Sequence, residues 1–362
     1  MVEQIMMRQA VFPARYVQGP GALGRFGSEA ARIGTRIYGI VDAGLPDGVI
    51  DGLNTIAITL TMERVAGACT ELAIASAAEA AMKAGADAIA GFGGGKTIDL
   101  ARATADKLNL PFISIPTVAA SDAPCSALAV IYDEEGHVLR DQFVRWNPQL
   151  VLVDSTVISA APVRLFIAGI GDALATYEEA IACYRSGASN MTGGAQTRLA
   201  MAVAETCRAT LFEHGAQAVA DCRASRSSEA FEAVLEATVL MSGVGFESGG
   251  VAAAHAIHHG LAALAETHHM LHGEKVAFGV LVELALNDAD DETLAQYVAF
   301  NRSVGLPATL GDLGIINIDE ALTVIIERAT RAGEIIYNEP VAVTPIAVEA
   351  AILRANKFGD KE

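Results

Sequence analysis

Positive charge is scarce in this chain: 25 Lys and Arg stand against 43 Asp and Glu in 362 residues, a formal net charge of −18. Such a balance repels a phosphate backbone and an anionic membrane surface alike, so neither nucleic acid nor a membrane is an expected partner. Paired cysteines are also lacking. The five present (Cys69, Cys125, Cys183, Cys207 and Cys222) are odd in number, widely spaced and form no CxxC pair, which argues against a disulfide framework or a zinc knuckle and suits a reducing cytoplasm. The most apolar window, Phe112 to Tyr132, is interrupted by Pro116, Asp122 and Pro124 and is no membrane span. Met1 to Arg15 holds no apolar stretch of secretory-signal length, so a cytoplasmic location is expected.

What is present is length, apolar residues and small residues. The length exceeds what one hydrophobic core usually supports, so two domains are expected. A composition 52% hydrophobic with 34 Gly reads as close-packed helices with glycine-marked turns. In the first half, short apolar runs at Ile37–Val41, Thr55–Leu60, Ala88–Phe92, Phe112–Ile115, Ala127–Ile131 and Leu150–Val153 alternate with helical patterns such as Glu71–Ala84 and Thr97–Leu108. That alternation marks βαβ units and a parallel, Rossmann-like sheet. After Val153 and Asp154 the strand-like runs stop, and Arg164 to Phe358 reads as successive Ala-rich helices. The fold class is therefore an α/β domain over 1–161 followed by an all-α domain over 162–362, with ligands expected in a cleft between them.

The run Ala88–Phe92 leads into Gly93-Gly94-Gly95-Lys96-Thr97 and then a helical pattern. Consecutive glycines let backbone N–H groups approach a phosphate without Cβ interference, and the helix N-terminus adds its positive end, so this loop reads as a diphosphate site. It is no Walker A loop, because Ala90 stands where the first glycine would be needed. A formal GxGxxG occurs at Gly19 to Gly24, but Pro20 removes one of the N–H groups that motif supplies, and a tight turn entering a helix is the favoured reading. Asp42 closes the run Ile37–Val41. A carboxylate there either accepts hydrogen bonds from an adenosine ribose or starts a turn with Gly44, and its company with a glycine loop favours the ribose, hence NAD over NADP.

Six of the eight histidines fall between positions 255 and 272. For any one of them a surface cluster is the simpler account. His255, however, lies in an otherwise apolar Ala-rich stretch, where a neutral imidazole needs a partner, and a metal is such a partner. The spacing alone does not tell which histidines ligate.

Five stretches carry a resemblance: GGGKTIDL (Gly93–Leu100), IPTVAASDAPCSALAVIY (Ile115–Tyr132), GIGDALAT (Gly169–Thr176), GFESGGVAAAHAIHHG (Gly245–Gly260) and HHMLHGEKVAFG (His268–Gly279). Through them the sequence resembles the glycerol dehydrogenases, within the iron-containing alcohol dehydrogenase superfamily, over essentially its whole length. The resemblance implies zinc held by Asp172, His255 and His272, and NAD lying along Asp42, Gly94, Gly95, Lys96 and Thr117. It also implies that Ser126, Leu128 and Tyr132 border the nicotinamide, that Asp122 contacts the polyol and with His255 serves the catalysis, and that the chain forms a homo-oligomer, an octamer in the family pattern. Ala120 departs from the serine common there. Thr176 stands where the iron-dependent relatives carry a fourth ligand, which favours a three-ligand zinc site. His258, His259, His268 and His269 receive no role.

The implied reaction is zinc-assisted oxidation of glycerol to dihydroxyacetone with NAD. The nearest rival is a dehydrogenase of another small 1,2-diol or polyol, since pocket shape decides the substrate. A dehydroquinate-synthase-like lyase needs a basic cluster for an anionic substrate, and Lys275 is the one cation close in sequence to the metal candidates. A glycerol-phosphate dehydrogenase is disfavoured by the same shortage of Lys and Arg.

Overall fold

The computed structural model describes residues Met6–Lys361. Two compact units divide the chain: one takes Phe12–Val163 and Asp221–Gly243, the other takes the segment ending at Val11, Arg164–Ala220 and the residues from Val244 onward.

In the first unit, β1 (Tyr16–Gly19), β2 (Arg36–Asp42), β3 (Thr59–Val65), β4 (Ala88–Gly93), β5 (Phe112–Pro116) and β8 (Leu150–Asp154) form a parallel sheet in the order β1-β8-β5-β4-β2-β3. β4, β5 and β8 are buried along their whole length, which is why they read as nearly continuous apolar runs. The faces alternate along β2. Tyr38 and Ile40 join Ile74, Ala77, Ile98 and Ala101 from helices α1 (Glu71–Lys83) and α2 (Gly95–Leu108), while Ile37 and Val41 pack with Phe26, Phe92, Ile113 and Leu152 on the other side.

Two strand expectations need correction, and one strand is unexpected. The run Thr55–Leu60 is mostly turn, and the edge strand begins at Thr59, in register with Arg36. An edge strand with one partner tolerates polar residues such as Thr61, Glu63 and Arg64, so its pattern is not the most apolar one nearby. The run Ala127–Ile131 belongs to no parallel sheet: β6 (Leu128–Tyr132) pairs antiparallel with β7 (Val138–Phe143). β7 escapes the sequence reading because its residues are almost all exposed and half of them polar.

The second unit is helical. Helices α3 (Val163–Ser186), α4 (Arg198–Arg223, its last three residues in the first unit), α5 (Ala253–Ala262), α6 (His272–Leu286), α7 (Asp291–Val304), α8 (Ile318–Ala329) and α9 (Pro345–Gly359) account for most of it. Glycines set the closest approaches. A Cβ at Gly273 would lie 1.8 Å from the Ala168 carbonyl oxygen, and one at Gly171 would lie 2.3 Å from the Gly273 carbonyl oxygen, so α3 and the start of α6 meet backbone to backbone. No helix among the described residues is long and apolar enough to cross a membrane.

Candidate active site

β4 ends at Gly93, and α2 begins directly after Gly94, which offers no side-chain cap to the first turn. A Cβ at Gly93 would meet Thr97 Cβ at 2.8 Å and Asp42 Cβ at 3.0 Å, so the strand-to-helix turn demands glycine there. Gly94 and Gly95 follow with the helix N-terminus behind them, a backbone arrangement suited to an anionic phosphate. Asp42 starts the turn with Gly44 and is also tied to the first turn of α2. One carboxylate oxygen accepts the Gly44 N–H at 2.8 Å and the other accepts the Thr97 hydroxyl at 3.2 Å, which brings it beside the glycine loop. Thr117, buried, donates its N–H to the Gly93 carbonyl at 3.1 Å, and the Lys96 ammonium sits 5.5 Å from the centre of the Tyr132 ring. Burial, followed by the nearby Asp99 and Cys69, pushes the Tyr132 hydroxyl up to about 12.

The turn Gly19 to Gly24 is differently employed. The Gly21 and Leu23 N–H groups donate to the Asp154 carboxylate at 3.1 and 3.0 Å, so the donors a phosphate would need are already taken by the protein's own anion.

Asp122, Ser126, Leu128 and Tyr132 are held by a residue pair that sequence reasoning missed. Arg102, fully buried on α2, pairs with Asp99 at 2.9 Å and donates to the Leu128 and Ala123 carbonyls, while Asp99 accepts the Val130 N–H at 3.2 Å. Burial raises Asp99 to about 6 against the opposing pull of Arg102. A cation and a carboxylate three residues apart in a helix usually lie on a solvated face, and nothing in the sequence marks this pair as buried. Asp122 precedes the 3-10 turn Ala123–Cys125 and accepts the Ser242 hydroxyl at 3.4 Å. Ser126 is buried and bonds the Ala123 carbonyl at 3.3 Å.

In the helical unit, Asp172 on α3, His255 on α5 and His272 at the start of α6 converge. The Nε2 atoms of His272 and His255 lie 3.1 and 3.5 Å from Asp172 Oδ1, and one ligand atom from each of the three can be chosen with all within 4.8 Å of one another. Donors at about 2.0–2.2 Å from a tetrahedral ion lie about 3.3–3.6 Å apart, so a carboxylate and two imidazoles spaced in this way fit a zinc-sized cation. Asp172 is buried and His272 reaches the surface. Burial opposes charge on Asp172, but His272 and His255 hold its carboxyl well below the usual carboxylate range. Burial would likewise favour a neutral His255, and the Glu179 and Asp172 carboxylates override it and raise that imidazole well above its ordinary value. Binding a cation there must therefore displace protons.

Thr176 is buried with its methyl group against Gly245. Of the unassigned histidines, His258 places Nε2 3.0 Å from His272 Nδ1, and His259 Nδ1 lies 3.0 Å from a Glu334 carboxylate oxygen. Glu179, which the sequence reading passed over, contacts His255 Nδ1 at 2.6 Å. Its signal was available: seven residues after Asp172 is two helical turns along the same face.

A parallel sheet with a glycine turn into a helix, together with a helical unit bearing an Asp-His-His cluster, is the plan of a nucleotide- and metal-using dehydrogenase, and residues 13–155 match the family model described as iron-containing alcohol dehydrogenase. Across the full chain, a glycerol dehydrogenase of Thermotoga maritima is 41% identical, covering 98% of both chains. A glycolaldehyde reductase of Halobacterium salinarum is 40% identical, covering 96% of each. The crystal structure of a probable glycerol dehydrogenase from Sinorhizobium meliloti superposes with a TM-score of 0.93 at 38% identity, covering 99% of this chain and 100% of that one. The chain belongs to the glycerol dehydrogenase family of oxidoreductases.

Proposed function

We propose that the protein oxidises glycerol to dihydroxyacetone with NAD, aided by zinc held on Asp172, His255 and His272. The convergence of those three side chains carries the reading, and Thr176 occupies the sequence position at which the resemblance implies a fourth ligand in the iron-dependent relatives. A divalent ion there supplies Lewis acidity toward an alcohol, and the nicotinamide supplies the hydride acceptor. The protein's own part is binding and orientation. Gly94 and Gly95 offer backbone N–H groups to the cofactor diphosphate, Lys96 adds a cation beside it, and Asp42 accepts ribose hydroxyls while repelling a 2′-phosphate. Thr117, Ser126, Leu128 and Tyr132 line the cofactor, and Arg102 keeps the segment carrying the last three in place. Asp122 accepts hydrogen bonds from the outer hydroxyls of the polyol and orients them.

The test is the initial rate with glycerol and NAD on chelator-stripped protein, before and after adding zinc. Restoration by zinc supports the reading, and a rate indifferent to stripping ends it. The resemblance to a glycolaldehyde reductase favours, as a second reading, another small vicinal diol or hydroxyaldehyde on the same site, which a substrate panel separates. Burial of all five cysteines as thiols suits a cytoplasmic enzyme, and we propose a homo-oligomer, with the octamer as its expected size.

A further inference from the structure

The start of α5 has an unusual lining. Four successive backbone N–H groups, those of Ala252, Ala253, Ala254 and His255, donate to three buried glutamates at 2.9–3.1 Å: Ala252 and His255 to Glu179 Oε1, Ala253 to Glu339 Oε1 and Ala254 to Glu283 Oε2. A helix leaves its first N–H groups without internal partners, and buried donors of this kind must be satisfied. Serine, threonine or asparagine would do so more cheaply than a buried carboxylate. Capping alone therefore does not explain Glu179. Of the three glutamates it is the one that also touches a ligand ring, with Oε2 2.6 Å from His255 Nδ1.

We propose that Glu179 is a positioning residue that holds the His255 proton on Nδ1, leaving the Nε2 lone pair aimed at the point where Asp172 and His272 converge. The proposal rests on reading that triad as a metal site. The chemistry requires an acceptor-only group, because three donors meet it: two backbone N–H groups at Oε1 and the ring N–H at Oε2. A carboxylate accepts all three and an amide cannot. Glutamine at 179 must turn its NH2 either toward the two backbone donors, leaving them unsatisfied, or toward the imidazole. In the second orientation the amide donates to Nδ1, the ring proton moves to Nε2, and the ligating lone pair is lost. Glu179 also shares α3 with Asp172, so one helix carries a ligand and the group that orients another.

The experiment compares wild type, Glu179→Gln and Glu283→Gln. Glu283 caps the same helix from an equally buried position but does not touch the ring. Zinc affinity is measured by competition with a chromophoric chelator, NAD affinity by fluorescence titration, and stability by thermal unfolding of the metal-free protein. Glu179→Gln is expected to weaken zinc binding by about 10–100-fold with NAD affinity within about twofold, whereas Glu283→Gln changes stability and leaves zinc affinity near wild type. Equal zinc affinity in wild type and Glu179→Gln, or equal weakening by both variants, overturns the proposal. Wild type that takes up no zinc overturns instead the reading of the triad. Should Glu179→Gln fail to fold, the zinc-loaded wild type decides through its histidine 15N signals, with His255 identified by its loss in His255→Asn: a proton on Nδ1 is expected, and a proton on Nε2 refutes the assignment.

Discussion

Replacing Gly273 by alanine is the sharpest test of how the metal cluster is built, because Gly273 follows the ligand His272 and touches the turn of α3 that carries Asp172. The new Cβ would stand 1.8 Å from the Ala168 carbonyl oxygen and 2.8 Å from the Asp172 nitrogen, both backbone atoms that no rotamer change can move. Carbon must withdraw to at least 3.0 Å from that oxygen, so α3 and the start of α6 part by about 1.2 Å. Zinc sites tolerate ligand displacements of only about 0.2 Å. The present 3.1 Å between His272 Nε2 and Asp172 Oδ1 would open beyond the span one ion can bridge. The expected outcome is a loss of about 1–3 kcal/mol in stability from overpacking, with zinc affinity reduced by about 100-fold or more, beyond the effect of losing a supporting group. Gly359→Ala is the control, since its Cβ would meet the Ala308 carbonyl oxygen at 2.1 Å in a contact that includes no ligand. Chelator competition and thermal unfolding are run on both. If Gly273→Ala binds zinc as wild type does, or if Gly359→Ala loses affinity equally, the close approach of α3 and α6 does not govern the site.

Asp172→Ala and His255→Ala should each abolish turnover and strip zinc while leaving NAD binding largely intact, since the glycine turn belongs to a unit with its own core; metal analysis and NAD titration check both halves. Asp122→Ala should raise KM for glycerol by about tenfold, the equivalent of about 1.4 kcal/mol for one lost hydrogen bond to a charged acceptor, and an unchanged KM removes Asp122 from the substrate's surroundings. Glu339 gives a pH signature. Burial raises its carboxyl from 4.5 to about 7, against the hydrogen bonds from Asn287 and Ala253 and with added repulsion from Glu179. The folded state thus binds the proton that the unfolded chain releases, so the contribution of Glu339 to stability is full below pH 4.5 and falls as pH rises toward 7. The loss approaches about 3 kcal/mol for 2.5 units at about 1.36 each. Glu339→Gln should flatten that fall in denaturant titrations run from pH 4.5 to 8, and an unchanged slope refutes the assignment.

The central strands are legible in the sequence because burial on both faces leaves Ala88–Phe92, Phe112–Ile115 and Leu150–Val153 almost wholly apolar, with Ser114 their one polar side chain. The edges are not. β3 and β7 are specified by their partners rather than by composition, and an exposed strand such as Val138–Phe143 shows neither a continuous run nor a clean alternation. The segment Asp221–Gly243 marks a deeper limit. It reads as one more Ala-rich helix, yet it packs with the α/β unit, where Gln18 donates to Glu232 and Ser242 to Asp122, because a helical pattern states which face is apolar but not which core receives it.

The site divides along the same line. Residues that must present a specific chemistry outward, the glycine turn and the Asp-His-His set, stand out by type and by local context. Residues that hold them, Arg102, Asp99 and Glu179, are charges on helices, and charges on helices are ordinarily solvent-facing. Their burial becomes visible only when the opposing backbone is in place: Arg102 meets the carbonyls of Ala123 and Leu128, and Glu179 meets the N-terminus of α5, partners between 21 and 76 residues distant. The glycines bridge the two groups. Gly171 and Gly273 adjoin Asp172 and His272 in sequence, so a reading that asks why these two ligands each have a glycine neighbour arrives at the helix contact before any coordinates do. An alanine in either place would keep the ligand set intact in sequence and pull it apart in space.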